Sequence, residues 1–505
     1  MNKRKIYLWS LVAVAAAIFL APLAAPRGMH MAKAAVSDDL YQEIDVYIEE
    51  QLRALNIPAA SLAVVAGDQV VHTQGFGSGG MDGAAPTPQT PFFIGSLTKS
   101  VTALAVMQLV EAGKVELDAP VQRYLPWFTL KDPDAASRIT VRHLLNQTSG
   151  LSQIPGMIGL GNFEDSSGAG WQQARALSSR EPASPVGSAW EYSNSNYNLL
   201  GLVIEAASGE SYADYIHKHI FSPLEMNHSY TSKEAAREDG LIDGHLLWFG
   251  FPMSVPNLPV PIGSLPSGQL ISTTGDMAHY MIAQLNDGMY AGEQILSAQG
   301  IAQMHQPDAE VTMLGEGTHF YGMGWYIDRS GSEEVVMHWG ETPDYFAYMA
   351  LLPERQNGII LMVNADQHMY TYPLIEVGNG AAALLAGETP ERNQRLVLPW
   401  VLRALMLLPL LQIICIFFRL RKLKSWRENT GRRPSKVCFW LLHILLPTVF
   451  NLIMPAVIVG LAVSGLFKFS LLFMGDILAV MLISAVISLL WICARTSLIL
   501  RIKRS

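Results

Sequence analysis

Phe92-Phe93-Ile94-Gly95-Ser96-Leu97-Thr98-Lys99 runs directly into Ser100-Val-Thr-Ala-Leu-Ala-Val-Met-Gln-Leu-Val110, an apolar stretch of helical pattern. A serine and a lysine three positions apart at a helix start share one face, one turn apart. The lysine amine then reaches the serine oxygen. A serine hydroxyl is a weak nucleophile until an adjacent base takes its proton. A lysine pressed into an apolar pocket releases its own proton more readily and can be that base. Ser96 is therefore a candidate nucleophile and Lys99 its candidate base.

Ser-x-x-Lys by itself is a short pattern, and two later segments give it weight. Trp190-Glu191-Tyr192-Ser193-Asn194-Ser195-Asn196-Tyr197 is a polar loop that enters an apolar helix. His338-Trp339-Gly340 follows the β-rich run Glu333-Glu-Val-Val-Met337. A nucleophile helix, a Tyr-x-Asn loop and a strand carrying a basic residue and a glycine form an ordered set.

Through these motifs the chain resembles the serine β-lactamase and penicillin-binding protein superfamily, in its class C and D-alanyl-D-alanine carboxypeptidase branch. Further segments are similar to family segments: Ile139–Leu151, Asn198–Glu205, Pro266–Met277 and Tyr321–Trp325. The resemblance spans about residues 40 to 385. It implies an α+β fold, an antiparallel sheet flanked by helices with an inserted helical subdomain, and a site between them. It also implies roles. Ser96 would form an acyl-enzyme, and Lys99 would hold or take its proton. Tyr192 would be a second proton-shuttling group, ionised only if Lys99 or His338 lowers its pKa. Asn194 would donate to a substrate amide oxygen. The oxyanion hole would be the backbone N–H groups of Ser96 and Glu341, with Gly340 allowing close approach of substrate. His143 and His279 read as structural. At the third motif the chain departs from the usual Lys-Thr-Gly or Lys-Ser-Gly. Histidine is only partly charged near neutral pH and Trp339 offers no hydroxyl, so strong recognition of a free carboxylate is not expected.

Charge is unevenly spread along the 505 residues, whose formal net charge is −8. Residues 1–35 hold five Lys/Arg and no acid, and residues 396–505 hold fourteen Lys/Arg and two acids, Glu428 and Asp476. The stretch between them is net −25, which argues against nucleic acid as a partner. The three cysteines, Cys415, Cys438 and Cys493, all lie in the apolar C-terminal part, and no metal-ligand spacing occurs. Neither a metal nor another cofactor is expected.

Asn2-Lys-Arg-Lys5, an apolar run from Ile6 to about Ala25 and small residues at Ala32 and Ala34 read as a secretory signal over residues 1–35. Cleavage would follow Ala34 or Ala35; an uncleaved anchor is the alternative, and either one exports the following domain, residues 36–390. Beyond it, 396–418, 438–463 and 471–494 are three apolar runs, each long enough to span about 30 Å of hydrocarbon. Eight basic residues separate the first run from the second, and Lys468 alone lies between the second and third. The positive-inside rule then puts residues 419–436 and the tail in the cytoplasm, and residue 395 outside. Arg403 and Asp476 fall near outer ends of the runs, where side chains snorkel to water.

Within the exported domain, Ala59–Ala66 and Gln69–Gly75 flank Gly67-Asp68 as a hairpin. Strand-like runs return at 325–328, 334–337, 345–352 and 358–364, after mostly helical patterns over 110–255. His245–Val260 is too proline-rich for a helix and too apolar for an ordinary loop. It reads either as an insertion packed on the helical subdomain or as a lid that meets lipid or an acyl chain.

The expected function is a membrane-tethered extracytoplasmic serine hydrolase acting on amides or esters of D-amino acids, with a small peptide, D-amino acid or cell-wall substrate and the lipid bilayer as partners. Three substrate readings fit this: a carboxypeptidase-like cell-wall enzyme, a teichoic acid D-alanine esterase, and a peptidase that activates exported prodrug peptides. A penicillin sensor is a fourth reading, which the short cytoplasmic segments disfavour.

Overall fold

The computed structural model describes residues 38–79, 83–163, 168–314, 317–390, 397–428 and 445–504. The expected signal segment, residues 1–35, lies outside these. The predicted hairpin forms as Ala59–Ala66 (β1) and Gln69–Gly77 (β2), turning through Gly67 at φ +60°. The later strands are Ala309–Glu310 (β3), His319–Tyr321 (β4), Tyr326–Asp328 (β5), Val335–Glu341 (β6), Phe346–Leu352 (β7) and Asn357–Val363 (β8). They join in one antiparallel sheet of order β2-β1-β8-β7-β6-β5-β4-β3. β1 pairs with β8, Ala60 opposite Val363, so the first strand of this sheet in sequence lies beside its last.

Every residue of β7 and of β8 is buried. Continuous apolar runs, rather than alternation, are what a sheet covered on both faces requires. Ala347, Met349 and Leu351 enter one core, while Phe346, Tyr348, Ala350 and Leu352 enter the other. The second core is closed by two helices, Asp38–Leu55 (α1), through Ile44, Ile48, Leu52 and Leu55, and Thr371–Leu385 (α5), through Leu374, Val377 and Ala381. These are single apolar stripes at helical spacing. The first core holds Thr98–Glu111 (α2), Asn194–Ser208 (α3) and Thr274–Leu285 (α4). α2 is buried on nearly all sides, as its apolar composition demands. All of α2 to α4 come from the chain between β2 and β3, which is the helical insertion into the sheet.

His245–Val260 is neither a plain insertion on the helical side nor a free lid. His245–Trp248 and Phe251–Ser254 form a hairpin, and the first strand pairs in parallel with Ala365–Asp366. Pro252, opposite Leu247, is tolerated because its strand is the outer one of this three-stranded sheet.

The C-terminal part departs from three uninterrupted spans. Leu398–Leu405 (α6) and Leu408–Glu428 (α7) are bent by 42° at the break between them. Pro409 lies in the first turn of α7, where its missing N–H and its ring prevent a continuous helix through this point. Leu446–Ser464 (α8) and Gly475–Leu498 within Gly475–Arg504 (α10) are each long and apolar enough to cross a membrane. Residues 438–444 of the second expected run lie outside the described residues. Residues 471–473 of the third expected run belong instead to a separate short helix, Phe467–Phe473 (α9). Asp476 does not snorkel to water. It is 1% exposed and bonded within the protein, and the Arg403 guanidinium lies 4.4 Å over the Phe251 ring.

One substitution tests the packing of α5 on the sheet. A Cβ at Gly378 falls 2.2 Å from Cγ of the buried Tyr348. Glycine to alanine in a helix ordinarily stabilises by about 1 kcal/mol. Gly378→Ala is expected instead to destabilise by roughly 1–3 kcal/mol through overpacking, read as a lowered thermal midpoint of the full chain in detergent.

Candidate active site

Ser96 sits in a short 3₁₀ turn, Gly95–Leu97, that feeds α2 at Thr98. Gly95 has φ +51°, a left-handed conformation that disfavours residues with a Cβ. Ser96 is partly open, while the residues on both sides of it are buried. One turn on, Lys99 is wholly buried among apolar residues of α2. Burial drives its pKa well below the ordinary 10.5.

Three oxygens surround the Lys99 amine. Ser96 Oγ is at 2.9 Å, Asn194 Oδ1 at 2.7 Å and the backbone oxygen of Ser267 at 2.6 Å. Asn194 is the first residue of α3, placed there by the extended Ser193 at the N-cap. Tyr192, two residues earlier, donates its hydroxyl to Ser96 Oγ at 2.8 Å. The structure thus brings Ser96, Lys99, Tyr192 and Asn194 together. Burial is the dominant influence on Tyr192 and raises its pKa well above 10, so it is a neutral phenol rather than the tyrosinate considered from sequence.

His338 is placed differently from a residue that meets a substrate carboxylate. It is 1% exposed, and its ring is packed near Tyr192, Tyr321 and Tyr326. Nδ1 lies 2.6 Å from the Trp339 carbonyl and Nε2 3.4 Å from the Tyr321 hydroxyl. Burial, reinforced by Lys99, pushes its pKa down to about 3. His338 is therefore neutral and supplies no positive charge to Tyr192. Trp339 stacks on Tyr326 at 4.4 Å.

Gly340 is close to backbone. A Cβ there falls 1.9 Å from Ile94 O and 2.7 Å from Ser96 N. One on Gly95 falls 2.4 Å from Glu341 N. The end of β6 therefore lies against the Gly95–Leu97 turn, with Ser96 N and Glu341 N on adjoining backbones. The Glu341 side chain turns to His368, Oε1 to Nδ1 at 2.8 Å. A cleft is lined by Phe93, Leu160, Gln269, Thr342, Leu472 and Phe473, and so includes the residue after Glu341 and two residues of α9.

His143 serves the cap of a short helix with Thr140, and His279 lies 3.0 Å from the Leu224 carbonyl. Sequence reasoning missed the Ser267 carbonyl and His368. The first is a backbone atom with no residue signature, although its segment, Pro266–Met277, is one of those similar to family segments. The second acquires its partner only through folding. Among the described residues no cluster of histidine, cysteine and carboxylate side chains is suited to a metal ion.

The chain is similar to several known proteins. The Beta-lactamase family model matches residues 44–373. Protein flp of Staphylococcus aureus (strain MW2) is 28% identical over 343 residues, 68% of this chain and 66% of that protein, so the chain spans just under two thirds of this relative's length. Penicillin-binding protein 4 of Amycolatopsis lactamdurans is 29% identical over 311 residues, 59% of this chain and 78% of its own. The octameric penicillin-binding protein homologue from Pyrococcus abyssi superposes with a TM-score of 0.59 at 31% identity, covering 70% of this chain and 78% of that one. With a family match over most of its length and a β-lactamase-like sheet between helices, the chain belongs to the Beta-lactamase family of penicillin-binding-protein-like serine hydrolases.

Proposed function

We propose that this chain is a membrane-tethered, extracytoplasmic serine hydrolase that works through an acyl-enzyme on amides or esters of D-amino acids. The observation that carries the reading is the bonding of the Lys99 amine. Asn194 Oδ1 and Ser267 O accept hydrogen bonds from it. A neutral amine has two hydrogens and one lone pair. With both hydrogens committed to those two acceptors, the lone pair is left for Ser96 Oγ at 2.9 Å. Ser96 O–H then donates to Lys99, and Tyr192 O–H donates to the same oxygen.

The steps follow from this arrangement. Lys99 takes the Ser96 proton as Oγ bonds to the substrate carbonyl carbon. The carbonyl oxygen gains negative charge and is held by the N–H groups of Ser96 and Glu341. The C–N or C–O bond breaks, and Tyr192 gives its proton to the departing nitrogen or oxygen. The proton held on Lys99 restores the phenol. Water then attacks the ester carbonyl as Lys99 accepts a proton from it, the bond from the carbonyl carbon to Ser96 Oγ breaks, and Lys99 passes that proton to Ser96 Oγ, so the acid product leaves with Ser96 protonated and Lys99 neutral.

Two features support the finer parts of the reading. A neutral, buried His338 offers little attraction to a carboxylate, which favours neutral or acylated substrates over penicillin. The lopsided Lys/Arg distribution favours residues 36–395 outside and 419–436 inside. The packing of α9 against the hydrolase body, where Gly161 faces Lys468 and Phe469, is in keeping with that side for the α8–α10 connection.

A fluorophosphonate probe is expected to label the wild-type full chain at Ser96 and not Ser96→Ala, with turnover of an N-acyl-D-alanine amide falling roughly 10³-fold or more. Equal labelling of the variant refutes the assignment. In the same assay benzylpenicillin should acylate more slowly than the amide; hydrolysis of penicillin near the diffusional ceiling contradicts the substrate class.

The pH profile of acylation gives a separate check. Because the active form has Lys99 neutral, the rate should rise through an acid limb lying well below 10.5 and then stay level, with Tyr192 still protonated. No inflection from His338 is expected above about pH 5, since its pKa lies at about 3. A fall in rate between about pH 7 and 9, set by ionisation of Tyr192, would contradict the neutral-phenol step.

For topology, single cysteines at Thr430 and Lys468 in a chain free of Cys415, Cys438 and Cys493 should react with an impermeant thiol reagent on opposite sides of the membrane. Reaction of both from one side refutes the arrangement.

A further inference from the structure

Asp476 heads α10, and its carboxylate is 1% exposed. A carboxylate removed from water is expensive unless its lone pairs are filled. Here Oδ2 accepts the Phe249 N–H at 2.9 Å, and Oδ1 accepts both Gln367 Nε2 at 2.9 Å and the Ile477 N–H at 2.8 Å. Phe249 is at the turn of the 245–254 hairpin, and Gln367 follows Ala365–Asp366, the strand that pairs with it. One side chain from the membrane segment therefore ties two loops of the hydrolase body.

The connection continues to the site. Gln367 Oε1 accepts the Met369 N–H at 2.7 Å, which fixes the backbone around His368. The His368 N–H donates to Phe473 O of α9 at 3.0 Å, and its ring lies edge-on to Phe469. α9 is thus a second tie to the same loop. His368 Nδ1 meets Glu341 Oε1 at 2.8 Å, and this pairing raises the His368 pKa. Glu341 supplies the backbone N–H that adjoins Ser96 N. An unbroken set of contacts runs from the last membrane helix to the oxyanion side of the site.

We infer that Asp476 is a positioning residue for acylation: through Gln367 and His368 it holds Glu341, at the end of β6, in register with the nucleophile turn. The inference rests on the acyl-enzyme reading of Ser96. On this view the membrane segment completes the site as well as tethering it.

The test uses the full chain in detergent micelles, wild type against Asp476→Ala, His368→Ala and the double variant. Acylation by the fluorophosphonate is followed over a range of concentrations and normalised to the amount of folded protein that labels to completion. Each single change is expected to lower the limiting acylation rate roughly ten- to a hundredfold, the scale of a small misplacement at a reacting centre, with the half-saturating concentration unchanged. The double variant should be no slower than the slower single variant, because the two residues act along one path. If Asp476→Ala does not accumulate, Gln367→Met and its combination with His368→Ala make the same comparison. Folded variants that acylate within about twofold of wild type overturn the inference, as do losses that multiply in the double variant. A wild type that does not label at Ser96 overturns the acyl-enzyme reading itself and this inference with it.

Discussion

Between the end of β6 and the turn at Ile94–Leu97 there is no room for a Cβ atom: one at Gly340 falls 1.9 Å from Ile94 O, and one at Gly95 falls 2.4 Å from Glu341 N. Backbone meets backbone here, and the depth at which α2 sits against the sheet follows from that contact. With α2 at this depth, Lys99 lies one turn below Ser96 and inside the core, away from water. The same contact puts two backbone nitrogens on adjoining segments without recruiting a side chain. Glycine was read from sequence as room for substrate; the structure uses it first as room for the protein's own main chain.

What was legible in the sequence was local or ordered. Ser96 and Lys99 are one helical turn apart, so their spacing carries their geometry. β1, β2, β7 and β8 announce themselves as apolar runs between turn residues. Tyr192 and Asn194 needed the order of the motifs and the family likeness, since nothing in a Tyr-x-Asn loop says that it meets a helix so much earlier in the chain. The environment of His338 was not legible, because its neutrality depends on Tyr321 and Tyr326, which reach it only in the folded sheet. Nor was the hairpin at 245–254, whose Pro252 obscures a strand and whose parallel partner, Ala365–Asp366, is remote in sequence. Asp476 read as a charge near a membrane surface because its hydrogen-bond donors, Phe249 and Gln367, are equally remote.

The boundary between the hydrolase body and the C-terminal helices is likewise less sharp than composition implies. Leu402 of α6 is 1% exposed and shares a core with Leu247, Phe249 and Tyr370 of the body. Leu472 and Phe473 of α9 line the same cleft as Phe93 and Thr342 of the body. Cutting the chain before residue 396 would therefore remove cover from apolar side chains that a free-standing domain would have to expose.

The unexposed Lys99 amine also links folding to protons. In the unfolded chain this group titrates near its ordinary 10.5, and in the folded protein it titrates well below that. The unfolded state therefore binds more protons between those two values, so stability rises with pH across that interval. The contribution is complete above the unfolded pKa, weakens as pH falls, and is lost below the folded pKa. Lys99 at this position thus makes the fold less stable near neutrality than an uncharged side chain of similar size would, a cost that in the proposed mechanism accompanies its role as base for Ser96.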